Sequence, residues 1–297
     1  MGILPMRGNP ARHGQDAHAT GGFRRGAIYF PASCFPALFA IALFSTDCLH
    51  AEGWREALTP DTAGPFSAIR PFDAEFRIGW SEVEAARATV RIGYQGNDVR
   101  LSGFGGTTGL ARMLWQLDAS LEATATMPNF QTVYSMQQES YSKRTLVTEI
   151  VSKPDGIWRL RENYPQGENP ARWKMIKISP LRDLFSGMLY IRSRRLDPGE
   201  TVSTIIFPGD SPYLVEMKCL GTEKIPIAGS PRDAIKLDLR IHRINLKKGN
   251  ALEPHGKFQN GTVWLSNDPD RIPLRAEVNI FIGYVFAELE SIKFKTR

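Results

Sequence analysis

Histidine and cysteine are scarce in this chain of 297 residues, and scarcer still once its front end is set aside. Beyond residue 51 only His242, His255 and Cys219 remain. One cysteine cannot close an intramolecular disulfide, and Cys219 reads as a small buried hydrophobe. The two histidines stand in no HExxH, CxxC or other ligand spacing, so neither a metal nor a cofactor is expected. A GxSxG nucleophile motif is missing, which argues against Ser-His-Asp hydrolysis. Gly103-Phe-Gly-Gly106 lacks the lysine and spacing of a phosphate loop and is expected to mark a bulge or turn at a strand end. The carboxylate pairs Asp73/Glu75 and Glu82/Glu84 fall on alternating runs whose polar side faces solvent, a thin basis for glycoside hydrolysis. No catalytic residue is assigned, and the chain is expected not to be an enzyme. Long basic blocks are also missing. The formal charge is +6, and beyond residue 51 the 33 basic and 29 acidic residues are interspersed. That pattern describes a mildly basic, solvated surface and no nucleic-acid partner.

What the front of the chain does have is a targeting pattern. Arg24 and Arg25 precede an uncharged run from Gly26 to Thr46 with an apolar middle, Phe35 to Phe44, and then Cys48-Leu-His-Ala51. A basic n-region, an apolar h-region and a terminal alanine describe a secretory signal with an unusually long n-region, residues 1–51, cleaved after Ala51. An uncleaved N-terminal membrane anchor is the alternative; Pro31 and Pro36 shorten the helical part to about a dozen residues, less than a span needs. The protein is therefore expected to be periplasmic or secreted. Residues 52–70, with Pro60, Gly64 and Pro65, read as a linker or N-terminal arm, and 71–297 as a single domain.

Within that domain hydrophobic periodicity is the main signal. Phe72, Ala74, Phe76, Ile78 and Trp80 alternate with Asp73, Glu75, Arg77 and Gly79 over nine residues, as a strand with one buried face requires. Ala86 to Tyr94 repeats the pattern, and Val99 to Phe104 follows a Gly-Asn-Asp turn. Leu110, Met113, Leu114 and Leu117 then recur at helical spacing, predicting an amphipathic helix over Thr108 to Asp118. Further strands are predicted at 121–127, 132–138, 144–152 and 157–163. A second helix is predicted with Ser179 as cap, Pro180 in the first turn and Asp183 complementing the dipole. Its apolar stripe is Leu181, Leu184, Phe185, Met188 and Leu189. It ends in Arg192, Arg194 and Arg195, read as ordinary solvated charge in preference to a site for anionic head groups. Strands follow at 201–207, 213–221, 234–244, 261–266, 274–282 and 285–294, with 245–255 as a polar loop. The sum is a mainly β protein: a curved antiparallel sheet or open β-barrel of about a dozen strands with two short α-helices.

Tryptophan is the unusual endowment. Aromatics on the inside of a curved sheet could line an apolar cavity, with Phe76, Ile78, Trp80, Leu114, Trp115 and Trp264 as the candidates, against plain core packing.

Asp183-Leu-Phe-Ser-Gly-Met-Leu-Tyr-Ile-Arg192, Val263-Trp-Leu-Ser-Asn-Asp-Pro-Asp-Arg-Ile-Pro-Leu274 and Gly283-Tyr-Val-Phe-Ala-Glu-Leu289 resemble the bacterial family called domain of unknown function 3108. Phe76-Arg-Ile-Gly-Trp80 and Thr108-Gly-Leu-Ala-Arg-Met-Leu114 fit the same resemblance, which spans Pro71 to Phe294. It implies an exported bacterial protein without assigned activity, whose architecture is like the open barrels of lipoprotein carriers of the LolA/LolB type. Asp183, Arg192, Asp268, Arg271 and Gly283 match the pattern, each with a structural role expected. Arg271 is expected to tie its turn to a neighbouring carboxylate. The functional expectation is a non-enzymatic interaction or structural module of the cell envelope. The alternative is a carrier or sensor of a lipid-like ligand held in the concave face. Its partners would be that ligand or an envelope protein, with peripheral membrane contact.

Overall fold

The computed structural model describes residues 53–165, 171–255, 258–280 and 283–295. The expected signal segment and its cleavage point lie outside the described residues. The first alternating runs form an antiparallel meander of β1 (Phe72–Trp80), β2 (Val83–Gln95) and β3 (Asp98–Thr107). After α1 (Gly109–Leu114) it continues through β4 (Leu117–Ala125), β5 (Thr132–Tyr141), β6 (Arg144–Lys153), β7 (Gly156–Tyr164) and the short β8 (Lys174–Ile176). Helix α2 (Leu184–Ser193) separates this half from β9 (Thr201–Ile206), β10 (Tyr213–Ile227), β11 (Ser230–Asn245), β12 (Ala251–Pro254), β13 (Phe258–Ser266), β14 (Pro273–Ile280) and β15 (Tyr284–Phe294). Pairing of β1 with β15 joins the halves into one antiparallel sheet of fifteen strands, open between β8 and β9. No helix among the described residues is long and apolar enough to cross a membrane.

The sheet stays open because it overlaps itself. Its inward side chains from β1–β4, β10, β11 and β13–β15 meet α2 in one core, which includes Phe72, Leu101, Ala123, Met217, Leu237 and Leu289. A second core joins Ile150, Ile157 and Ile176 of β6–β8 to Ile205, Leu214 and Ile244 of β9–β11. Ile205 and Leu214 are the alternates of Ile206 and Val215, which belong to the first core, so the inner side of β6–β8 covers the outer side of β9–β11. The edge of β9 is satisfied by the chain just before α2: Arg182 N donates to Ile205 O, and Phe207 N to Arg182 O.

Several sequence expectations change here. The second helix starts at Leu184, with Asp183 as its N-cap in place of Ser179, because the preceding backbone is held extended against β9. That helix is buried nearly all round, since residues 59–69 cross its other face. Tyr190 Oη donates to the carbonyls of Thr59 and Pro60, and Phe66 N donates to Ser193 O. Gly64 passes so close that a Cβ there would lie 2.1 Å from Ser193 O. The first helix ends at Leu114, because Leu117 belongs with Ala119 and Ala123 to the buried alternation of β4. Gly103 to Gly106 lie in mid-strand with no register shift, neither bulge nor turn. The polar loop 245–255 contains β12, paired with β11. β10 and β11 run on to a two-residue turn, Ala228-Gly229, both at positive φ, as a tight hairpin demands.

Candidate functional site

Small residues decide where the interior is empty. Ala88, Gly103, Gly105 and Ala119 stand on neighbouring positions of β2, β3 and β4: Ala88 opposes Gly105, and Gly105 opposes Ala119. Four near-bare positions leave the sheet backbone uncovered, and α2 does not fill the gap. The result is a cavity of about 260 Å³ between α2 and the sheet. Phe76 and Ile78 of β1, Val90 of β2 and Leu121 of β4 line one side. Val263, Leu265, Ala276 and Ala287 line the other, and Leu184, Phe185, Met188 and Leu189 form the helical wall. The volume is well above the about 150 Å³ at which an apolar protein cavity takes up a benzene. Along β1 the lining runs from Phe72 to Ile78, about 20 Å at strand rise.

Polar lining is confined to few residues, chiefly Arg70, Gln137, Arg192, Asp270 and Arg275. Arg70 and Asp270 form an ion pair at the exposed rim. Arg275 is held by Glu277 at 2.6 Å and by Glu288. Arg192 is different: only 6% exposed, it is tied to carbonyl oxygens, Nε and Nη2 to Asp270 O at 3.1 and 2.7 Å and Nη2 to Ala68 O at 3.3 Å. Burial pulls its pKa down to about 10, with Asp270 opposing. The expectation of solvated charge at the helix end is thus corrected for Arg192: residues 68–70 and 268–270 close over it.

Of the six sequence candidates for the cavity, Phe76 and Ile78 line it. Trp80 is 47% exposed at the end of β1, and Leu114 is 90% exposed on α1. Trp115 caps α1 and packs its ring against Tyr141, 6.3 Å between centroids. Trp264 is buried, but alternation along β13 gives the cavity to Val263 and Leu265, and the indole Nε1 donates to Glu223 Oε1 at 2.7 Å. These four do not form the lining; the aliphatic and glycine positions do. Periodicity marked the right face of β1 but could not tell that it would face a void, since a void is made by what neighbouring strands lack.

The family-pattern residues have identifiable duties. The Asp183 carboxylate accepts from Phe185 N at 2.8 Å, Ser186 N at 3.2 Å, Thr132 Oγ1 at 2.7 Å and Ser186 Oγ, fixing α2 to β5. Asp268 Oδ1 accepts from Ser266 Oγ and from the backbone of Asp270 and Arg271, building the turn before β14. Arg271 does not reach a carboxylate as expected; Nη1 donates to Arg194 O at 3.1 Å and the guanidinium lies 3.7 Å from the Phe66 ring centroid. Gly283 has φ +73°, and a Cβ there would lie 2.0 Å from Ser81 Oγ. Sequence reasoning missed Arg182. Fully buried, it stacks on Tyr190 at 3.8 Å, pairs with Asp61 and donates to Thr204 Oγ1 and the carbonyls of Asn129 and Phe130. Its position directly before the capping Asp183 was the available signal.

A model of the family described as "protein of unknown function (DUF3108)" matches residues 75–290. No curated protein matches the sequence. Among solved structures the chain is similar to a β-barrel-like protein of domain of unknown function DUF1849 from Brucella abortus, with 7% identity and a TM-score of 0.48 over 77% of this chain and 99% of that one. A candidate exported protein with a YmcC-like fold from Bacteroides fragilis is 10% identical, with a TM-score of 0.34 over 78% and 100%. A candidate lipoprotein from Parabacteroides distasonis is 8% identical, with a TM-score of 0.32 over 79% and 100%.

Proposed function

The chain belongs to the DUF3108 family, and on that premise we propose that it is an exported, non-enzymatic carrier or sensor of a lipid-like apolar ligand, held between α2 and the concave face of the sheet. The single observation that carries this reading is the apolar cavity of about 260 Å³. An interaction module needs a filled interior; a carrier needs a hollow one. The hollow favours the alternative over the envelope module that the sequence put first. Its shape suits a chain: about 20 Å long on β1, walled by aliphatic side chains and backbone. Chemistry on a substrate would require convergent acid, base or nucleophile. Among the described lining residues there is no histidine, cysteine or glutamate, and the one carboxylate, Asp270, is engaged by Arg70. The signal-like residues 24–51 support export. The module reading keeps one observation in its favour, the exposed apolar side chains of α1.

Native mass spectrometry of gently purified protein tests the carrier, followed by titration with a fluorescent acyl probe. A co-purifying lipid-sized mass, or saturable one-to-one uptake of the probe, is expected. No adduct together with no saturable uptake would remove the carrier reading and leave the module.

A further inference from the structure

We propose that the ligand carries an anionic head and that Arg192 receives it, so that the cavity selects an anionic amphiphile such as a long-chain carboxylate over neutral chains. This deepens the carrier reading and rests on it. Arg192 lines the cavity and is 6% exposed. Nε and Nη2 are spent on backbone carbonyls, whereas Nη1 is sealed from solvent and has no hydrogen-bond partner among the described residues. A buried donor left unmet is costly, more so on a cation. None of the three carbonyl bonds neutralises the guanidinium. The carboxylate that acts most strongly on it, Asp270, accepts from Arg70, and only its backbone oxygen bonds to Arg192. Arg271 adds repulsion, while Asp268 is bound to Ser266 and its own turn. The site is therefore a fixed cation with one unused donor, at one end of an apolar slot.

The geometry orders the ligand. Arg192 lies in the last turn of α2 and contacts Asp270 and Ala68, the latter four residues before β1 starts at Phe72. Ile78, Ala88, Gly105 and Ala119 lie at the slot's other end. A head at Arg192 places the tail along β1 towards Ile78. The exposed Arg70 marks the entrance beside the head. The uncompensated guanidinium charge draws a carboxylate to this end of the slot, an attraction that a neutral hydroxyl does not share.

The test compares hexadecanoic acid with hexadecanol by displacement of a fluorescent acyl probe, on the wild type and on Arg192→Met, Arg192→Lys and Arg100→Gln. The wild type is expected to hold the acid about ten-fold more tightly than the alcohol. Arg192→Met should bring the acid down to the alcohol, and Arg192→Lys should keep part of the preference. Arg100→Gln, which removes an exposed cation that does not line the cavity, should keep nearly all of it. Equal affinity for acid and alcohol in the wild type would overturn the head-group assignment and leave the apolar carrier standing. So would a preference that survives Arg192→Met, or one that vanishes in Arg100→Gln. Failure of both compounds to bind would instead overturn the carrier reading, and this inference with it. If Arg192→Met does not fold, the wild-type preference and the Arg100→Gln result still decide.

Discussion

The two helices carry similar apolar patterns in sequence and end in opposite environments. In α2 the stripe of Leu184, Phe185 and Leu189 meets the sheet, and its remaining faces are covered by residues 59–69. In α1 the stripe faces water: Leu110 is 78%, Met113 82% and Leu114 90% exposed. What separates them is anchorage at the ends. A buried carboxylate, Asp183, satisfies two backbone donors of α2 and two hydroxyls besides. Thr108, at the N-cap of α1, makes no side-chain cap bond. α1 is instead a loop closed from below by polar contacts: Arg112 binds Asp118 at 2.7 and 2.8 Å, and Leu117 N donates to Thr107 Oγ1. An apolar stripe reports a buried helix only where the chain on either side delivers it to a core.

The largest effect should come from the α2 cap. Asp183→Ala removes the cap and the carboxylate acceptor shared by the buried hydroxyls of Thr132 and Ser186, leaving them only each other. A loss of about 2–4 kcal/mol in urea unfolding is expected. A loss under about 0.5 kcal/mol, the low end for a cap alone, would mean that α2 does not depend on it, and the contrast with α1 would fail.

A smaller, pH-dependent effect is expected beneath α1. Trp115, which caps that helix, packs on Tyr141, whose hydroxyl donates to buried Glu139 at 2.5 Å. Burial raises the Glu139 pKa, against the opposing bonds from Tyr141 and Gln137. The native carboxyl thus holds its proton to higher pH than the unfolded one. Its contribution is fully present below the ordinary glutamate range and is lost as pH rises through the native value. Glu139→Gln should therefore flatten the fall in stability as pH rises above the ordinary glutamate range. An unchanged slope in urea midpoints above that range would show that burial at Glu139 does not govern it.

The smallest effect is expected on α1 itself. Leu110→Ser, Met113→Ser and Leu114→Ser should each shift stability by no more than about 0.5 kcal/mol, as for exposed sites in general. Acyl-probe affinity should not change. A large destabilisation would put the α1 stripe in a core after all, and lost binding would tie it to the ligand.

The architecture was legible because period-2 alternation survives in most strands, clearly in Arg144 to Lys153 and at the start of β1, where it breaks at a register shift between Ile78 and Gly79 that leaves Trp80 exposed. Helix limits were less legible. Leu117 fits both a helical stripe and the start of an alternating strand, and only pairing with β3 and β5 selects the strand. The cavity was legible in part. Phe76 and Ile78 announce the inner face, but the space exists because Ala88, Gly103, Gly105 and Ala119 come together across three strands, a coincidence of register that no single segment displays. Tryptophans drew attention by size, and size was the wrong cue, for bulky side chains fill space that small ones leave open. Arg192 looked like any cation at a helix end because the chain that buries it, near Ala68 and Asp270, is remote in sequence.

In the proposed carrier the ligand's chain lies in the space left by those small residues. Ala88→Phe places a ring into that space from the middle of β2 without disturbing a polar group. Saturable uptake of a fluorescent acyl probe, measured on wild type and Ala88→Phe with melting temperatures recorded alongside, tests it directly. One-to-one uptake by the wild type is expected, with loss of uptake in the variant at an unchanged or raised melting temperature. Equal uptake by both folded proteins would contradict it.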